Sequence, residues 1–322
     1  MLIDTTRLCE KKTHLSITDF ETALIDVMIQ NDLTPPPRFT YDKFVNFRSK
    51  EHGCKRKCCA YIANFKFKSA YLKCWRRKIE IKWRYGNKTY GALSTYEKKQ
   101  IKKLLIENKK KEEIEFQRKR KIDIELLHLS KPAIAHLYIK QKRIIPYGAY
   151  ELEDSLYIPL FDIKSKFMCC QEITKNFYGN GFFKKFTNRS KGGMHVIGTL
   201  DSSTEHVLIC EGWATGCTIY KATQMTTICA FTCHNIVNVV EAVKRNYPRS
   251  KIIICADNDL YGEKNIGTDT AYDLSKKYNI DYIYPDFTSL PLTTKPTDFN
   301  DLFLLSDLNY VRQQISNQIS NH

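Results

Sequence analysis

Long hydrophobic runs are absent from this 322-residue sequence. Nowhere do about 18 apolar residues follow one another, which excludes a membrane-spanning helix and argues against a membrane partner. The N-terminus, Met1 to Leu15, carries Asp4, Glu10, Lys11 and Lys12 and has no apolar core, so no secretory leader is read there. Glycine is scarce, 13 residues, which excludes a collagen-like repeat. No internal repeat is visible, and no low-complexity linker follows residue 130. Cysteine is the exception: there are 12. However, Cys210, Cys217, Cys229 and Cys255 lie in or beside apolar runs, the pattern of reduced, cytoplasmic cysteine used as a small hydrophobe.

Hydrophobic residues make up 43%, enough to build packed cores. At roughly 150 residues per domain, the length suggests about two domains. The net charge of +16 is concentrated in one place. Tyr41 to Glu125 holds 26 Lys/Arg against 10 Asp/Glu, so this stretch carries the whole excess and the rest is balanced. A basic block of this kind neutralises phosphates and releases counterions, which favours nucleic acid over a merely solvated face. Phe65, Phe67, Tyr71, Trp75, Trp83 and Tyr85 interleave with the charge. Flat rings beside cations suit stacked bases. Yet Ile79, Ile81, Trp83 and Tyr85 alternate with Lys78, Glu80, Lys82 and Arg84, the period of a half-buried strand with its apolar side inward. Core aromatics are therefore the first reading. His52, Cys54, Cys58 and Cys59 form a local cluster of zinc-ligand types. No second paired-cysteine knuckle follows and Cys74 is distant in sequence, so structural zinc is only a weak expectation.

Ile17 to Gln30 has the apolar spacing of an amphipathic helix, ended by Pro35-Pro36-Pro37. Phe44 to Tyr90 reads as short strands. Ser94 caps a long charged helix over Tyr96 to Leu127. Ser130 followed by Pro132 predicts another helix start, with Ile134, Leu137, Tyr138 and Ile139 inside it. Leu156 to Asp162 and Phe167 to Ile173 read as a hairpin, followed by a basic, glycine-bearing stretch from Phe182 to Gly198. From Glu205 strands alternate with helices: Val207 to Cys210, Thr226 to Thr232, Lys251 to Ala256 and Asp281 to Tyr284 are strands. Between them lie helices to Ala222, over Asn235 to Arg245 and over Thr268 to Lys277. This order implies an α/β fold with a parallel sheet flanked by helices on both faces, preceded by a basic α+β region. Three parts are expected: a basic region at 1–128, a subdomain at 129–200 and a catalytic domain at 201–322.

Ligands bind beyond the carboxyl ends of such strands. Glu211 follows one strand; Asp257 and Asp259 follow another; Asp298 and Asp301 come after a further one. Carboxylates converging on one rim repel each other unless a hard cation such as Mg²⁺ (or Mn²⁺) binds between them, which suits phosphoryl transfer. If the strand persists through Asp257-Asn258-Asp259, both aspartates share a side and Asn258 points away. Taken singly, each aspartate has a plainer role as a helix cap, and Glu211 as a charge facing a helix dipole.

Three segments together resemble the motifs of the Toprim domain: Val207-Leu-Ile-Cys-Glu211-Gly212, Ile252-Ile-Ile-Cys-Ala-Asp257-Asn-Asp259 and Lys295-Pro-Thr-Asp298-Phe-Asn-Asp301-Leu302. The version is similar to primases of plasmids, phages and other mobile elements. There, Leu156 to Asp162, Lys191-Gly192-Gly193 and His195 to Gly198 have matching forms. Before residue 130 the resemblance rests on Ala92-Leu-Ser94-Thr-Tyr-Glu97 and the basic, β-like composition.

The resemblance implies that Glu211 is the acid/base glutamate and that Asp257 and Asp259 bind metal, completed by Asp298 and Asp301. It implies that Lys295 neutralises a nucleotide phosphate. Lys184, Lys185, Arg189 and Lys191 would form a basic ridge for template or triphosphate, with Gly192 and Gly193 allowing close backbone approach. The implied activity is DNA primase: Mg²⁺-dependent joining of nucleoside triphosphates into short oligonucleotides on single-stranded DNA. No Gly-x4-Gly-Lys-[Ser/Thr] P-loop occurs, so a replicative helicase would be a separate polypeptide. Two alternatives stay open. One is Toprim nuclease or topoisomerase-like strand cleavage. The other is a non-catalytic replication accessory protein that binds nucleic acid.

Overall fold

Ser16 shows how local sequence starts an element in the computed structural model. Its hydroxyl accepts from the Asp19 N–H at 3.0 Å and the Asp19 carboxylate accepts from the Ser16 N–H at 3.3 Å. This capping box opens α1 (Ile17–Gln30). The structure describes residues 16–49, 57–86, 95–177, 179, 181–262, 265–291 and 294–320. Among them no helix is long and apolar enough to cross a membrane. His52, Cys54 and the expected cap Ser94 lie outside the described residues.

The chain divides into two compact units, residues 1–109 and 110–322. In the first, α1 packs on an antiparallel sheet of β1 (Val45–Phe47), β2 (Cys59–Asn64), β3 (Ser69–Cys74) and β4 (Ile79–Arg84), in that order. Phe20, Leu24 and Met28 meet Tyr61, Leu72 and Ile81 in its core. Phe65, Trp83 and Tyr85 pack against that core and Phe67 is buried, as strand alternation requires. Trp75 departs from this: it lies in the β3–β4 turn and is 48% exposed. Cross-strand pairing sets Cys59 opposite Cys74, and the thiol sulfurs of Cys58, Cys59 and Cys74 lie within 4.8 Å of one another. Cys74, distant in sequence, thus joins the two cysteines of the expected cluster. Burial pushes the Cys59 thiol well above the usual range.

A long helix, α2 (Thr95–Leu129), leads to an antiparallel sheet ordered β5 (Lys131–Pro132), β6 (Tyr150–Leu152), β7 (Ser155–Phe161), β8 (Phe167–Lys175), β9 (Phe182–Phe186). The helix expected from Ser130-Lys131-Pro132 does not start there. Lys131 and Pro132 pair with Glu151 and Tyr150 as an edge strand, the place in a sheet where proline is tolerated. The short helix α3 (Leu137–Lys142) begins at His136 instead, whose Nδ1 accepts from the Tyr138 N–H at 3.2 Å.

The second sheet of this unit combines β10 (His195–Ile197), β11 (His206–Cys210), β12 (Thr227–Cys229), β13 (Lys251–Cys255) and β14 (Asp281–Ile283), in the order β10-β12-β11-β13-β14. β12, β11, β13 and β14 run parallel, and β10 is an antiparallel edge strand that helix–strand alternation did not predict. The helices are α4 (Trp213–Thr223), α5 (Cys233–Asn246), α6 (Ile266–Tyr278), α7 (Phe299–Leu305) and α8 (Leu308–Ser320). Alternation splits the strands between two cores. Leu208, Cys210, Cys229, Ile253 and Cys255 face α4, α7 and α8, while Val207, Ile209, Ile228, Ile252 and Ile254 face α5 and α6. Gly216 lets α4 come down onto the cysteine side; a Cβ there would sit 2.3 Å from the Cys229 sulfur.

Candidate active site

Three loops at the carboxyl ends of the parallel strands carry the acids. Glu211 leaves β11, and its carbonyl accepts from the Phe231 N–H beyond β12 at 2.7 Å. Asp257 and Asp259 leave β13. The strand ends at Cys255, so the pair sits on a loop rather than on a continued strand. Asn258 nevertheless turns away, and it is buried. Its N–H donates to Thr297 O at 2.7 Å, its amide donates to Pro285 O at 2.9 Å, and its Oδ1 accepts from Asn265 at 2.8 Å. Asp259 Oδ2 accepts from the Gly267 N–H at the start of α6, at 3.4 Å. Asp298 follows a long loop after β14 rather than a strand, and caps α7 by accepting from the Asp301 N–H at 2.8 Å.

These carboxylates share one electrostatic environment. Burial, then the charges of Asp298, Glu211, Asp259 and Asp301, push Asp257 up to about 8. Burial and Asp259 raise Glu211, with His234, Lys184 and the Cys233 N–H opposing. Burial and Asp301 raise Asp298, opposed by Lys142, the Asp301 N–H and Thr215. Asp257 Oδ1 is buried and has no hydrogen-bond partner among the described residues. An unpartnered carboxylate oxygen with further carboxylates nearby has the donor chemistry that suits a hard divalent cation, while no three of these acids bring oxygens within 4.8 Å of one another.

Asp301 differs from the others. Its Oδ1 lies 3.3 Å from Lys142 Nζ and its Oδ2 accepts from the Thr297 N–H at 3.0 Å, so it braces a lysine and a loop. Asn300 holds the same helix end, donating to Lys142 O and Thr218 Oγ1, each at 2.9 Å. Lys142 had no signal in the sequence; only folding brings α3 against α7, 159 residues away.

The expected basic ridge separates residue by residue. Lys184 on β9 turns toward the acids, with its ammonium 5.1 Å from the Tyr138 ring. Surrounding protein lowers it below the usual lysine range, while Asp298, Asp257 and Glu211 pull it back up. Lys185, its neighbour on the opposite side of the strand, pairs with Glu172 at 3.0 Å. Arg189 lies 4.4 Å over Phe116 and pairs with Glu113 at 3.1 Å, which fastens this loop to α2. Lys191 and Lys295 are exposed, and Lys295 lies in the loop before α7. Gly192 and Gly193 do not offer amides to a phosphate. The Gly192 N–H donates to Asn235 and the Gly193 N–H to Ser190 O, both at 2.8 Å. His195 is buried, with Nδ1 2.9 Å from Pro159 O and Nε2 3.0 Å from Tyr147 O. Trp213, two residues after Glu211, donates to the same Tyr147 carbonyl at 3.2 Å. This joins the loop between α3 and β6 to the start of α4.

An α/β domain with acids on three loops at the carboxyl edge of a parallel sheet is the class that this geometry defines. Residues 206–306 match the model of the Toprim domain family. The chain is also similar to two Escherichia coli proteins named DNA primase TraC. One is 30% identical over 137 residues, 41% of this chain and 13% of that protein. The other is 30% identical over 105 residues, 32% of this chain and 7% of that protein. The matches thus span only a small part of those relatives. Among solved structures, a DNA primase domain from Pseudomonas aeruginosa is 13% identical, with a TM-score of 0.34, over 52% of this chain and 53% of that one.

Proposed function

We propose that this chain is a primase-like nucleotidyltransferase that joins nucleoside triphosphates into short oligonucleotides on single-stranded DNA. One observation carries the reading: the unpartnered Asp257 oxygen among four further carboxylates, with Lys142 and Lys184 close enough to interact with the same acids. Asp257, Asp259 and Asp298 would hold Mg²⁺ or Mn²⁺. When bound, the ion would neutralise phosphate charge and acidify the attacking hydroxyl. Glu211, with its proton affinity raised by burial, accepts the proton of the primer 3′-hydroxyl. The 3′-oxygen bonds to the α-phosphorus as the bond to pyrophosphate breaks. Lys184 neutralises phosphate charge, and Lys142, braced by Asp301, sits beside the same acids. The partners that suit this role are a single-stranded template, nucleoside triphosphates and a separate replicative helicase. A cytoplasmic protein of a mobile genetic element is the setting that fits.

Single-stranded DNA, Mg²⁺ and labelled nucleotides give the direct test. Labelled products longer than one nucleotide, abolished by EDTA, are expected; shortened DNA without incorporation would assign a nuclease instead. Two neighbouring lysines sharpen the result. Lys184→Ala should lower incorporation by about 100-fold, the scale of removing one charge-stabilising donor. Lys185→Ala, whose ammonium is engaged by Glu172 at 3.0 Å, should lower it less than about 3-fold.

A further inference from the structure

The aromatic residues of the N-terminal unit do not all serve its core. Phe44 and Trp75 are 52% and 48% exposed, and their rings meet edge to face with centroids 6.3 Å apart. Phe44 directly precedes β1 and Trp75 directly follows β3; the register sets them at opposite ends of their strands, so it is the two side chains reaching toward each other that bring the rings together. The Trp75 N–H donates to Cys58 O at 3.1 Å, which anchors the turn. Two adjacent rings in water expose apolar area with no packing gain inside the unit.

The chemistry around the rings selects the partner. All of Trp75 to Lys78 is exposed, and this turn contributes Arg76, Arg77 and Lys78; Lys43 directly precedes Phe44. Arg77 is steadied by Asp32 at 2.9 Å. From Tyr41 to Gly86 there are 14 Lys/Arg and three Asp/Glu. Protein interfaces exclude charge from their apolar centres, whereas a single strand of nucleic acid offers a ring face and a phosphate at every residue.

We propose that the exposed Phe44–Trp75 ring pair is a stacking platform for unpaired bases of single-stranded nucleic acid, with the Trp75–Lys78 turn taking the phosphates. The proposal deepens the template-binding part of the reading above, but it rests on a surface outside the acidic site.

The test is binding of a 12-mer oligo(dT) to the full chain without metal or nucleotide, followed by tryptophan emission. Quenching is expected on binding. Trp75→Ala should weaken affinity about tenfold, the scale of one lost base stack. Trp75→Phe should keep affinity within about threefold while removing most of the quench, because Trp83 packs against the core and Trp213 is buried. Unchanged affinity in a folded Trp75→Ala chain would overturn the proposal, as would equal Trp75-dependent binding of a duplex of the same length. Failure of nucleotide incorporation alongside a Trp75-dependent affinity would sink the catalytic reading and leave the platform standing.

Discussion

Asp257→Asn is expected to cut nucleotide incorporation by about 1,000-fold or more while making the metal-free protein more heat-stable at pH 8. Asp257 is pushed from its ordinary range up to about 8 by burial and four neighbouring carboxylates. The folded state therefore keeps a proton that the unfolded chain releases near pH 4. From about pH 4 to about pH 8 the native state binds more protons than the unfolded state, so this group makes stability fall as pH rises. Above about 8 the penalty is constant. Asparagine keeps the shape and removes the charge, so the loss disappears. In EDTA at pH 8 the melting temperature should rise by several degrees, at the 2–4 °C per kcal/mol expected for a unit of this size. The gain should vanish near pH 4, where both forms are neutral. Thermal melts at the two pH values check this; a drop at pH 8 would mean that Asp257 is ionised and well compensated in the metal-free fold. Binding of a divalent ion would likewise release a proton and strengthen as pH approaches 8.

Gly267→Ala should be the most damaging single methyl group in the parallel-sheet domain. A Cβ at this position, at the start of α6, would lie 2.1 Å from Asp257 O and 2.9 Å from its carbonyl carbon. Both are backbone atoms, so no side-chain rotation relieves the clash. Either α6 slides outward or the Asp257 loop shifts. The expected cost is about 1–3 kcal/mol of stability. Incorporation should fall about 100-fold even where the protein remains folded, because displacing a positioned group by about 1 Å costs that much. Gel filtration and circular dichroism at low temperature would show a folded chain, and steady-state assays would show the loss in turnover. Wild-type activity in Gly267→Ala would show that Asp257 need not hold its present place.

Glu211, Asp257 and Asp259 were legible in sequence because each follows an apolar strand run, and parallel strands bring their carboxyl ends to one edge; Asp298 and Asp301, beyond the long loop after β14, carry no such mark. Asn258 shows a limit of that argument. Its turn away from the aspartates was expected from strand alternation, but it comes from a loop tied to Thr297, Pro285 and Asn265. Proline placement misled at Lys131-Pro132, since an edge strand and a first helical turn tolerate proline for the same reason: neither needs its missing N–H. The cations were less legible. Lys184 and Lys185 are equivalent in composition, and only the pleat of β9 sends one to the acids and the other to Glu172. Lys142 and Gly267 matter through long-range contacts that no local pattern encodes. Cys74 joins Cys58 and Cys59 through hairpin register, which sequence spacing concealed.

The bracing of Asn258 has a bearing on how a ligand would be received. One amide and its own backbone tie the loop after β13 to both ends of the loop between β14 and α7. Little freedom is left for those loops to lose on binding. Since no three of the acids bring oxygens within 4.8 Å of one another, the cost of receiving a divalent ion would fall on turning side chains and on their mutual repulsion rather than on ordering those loops.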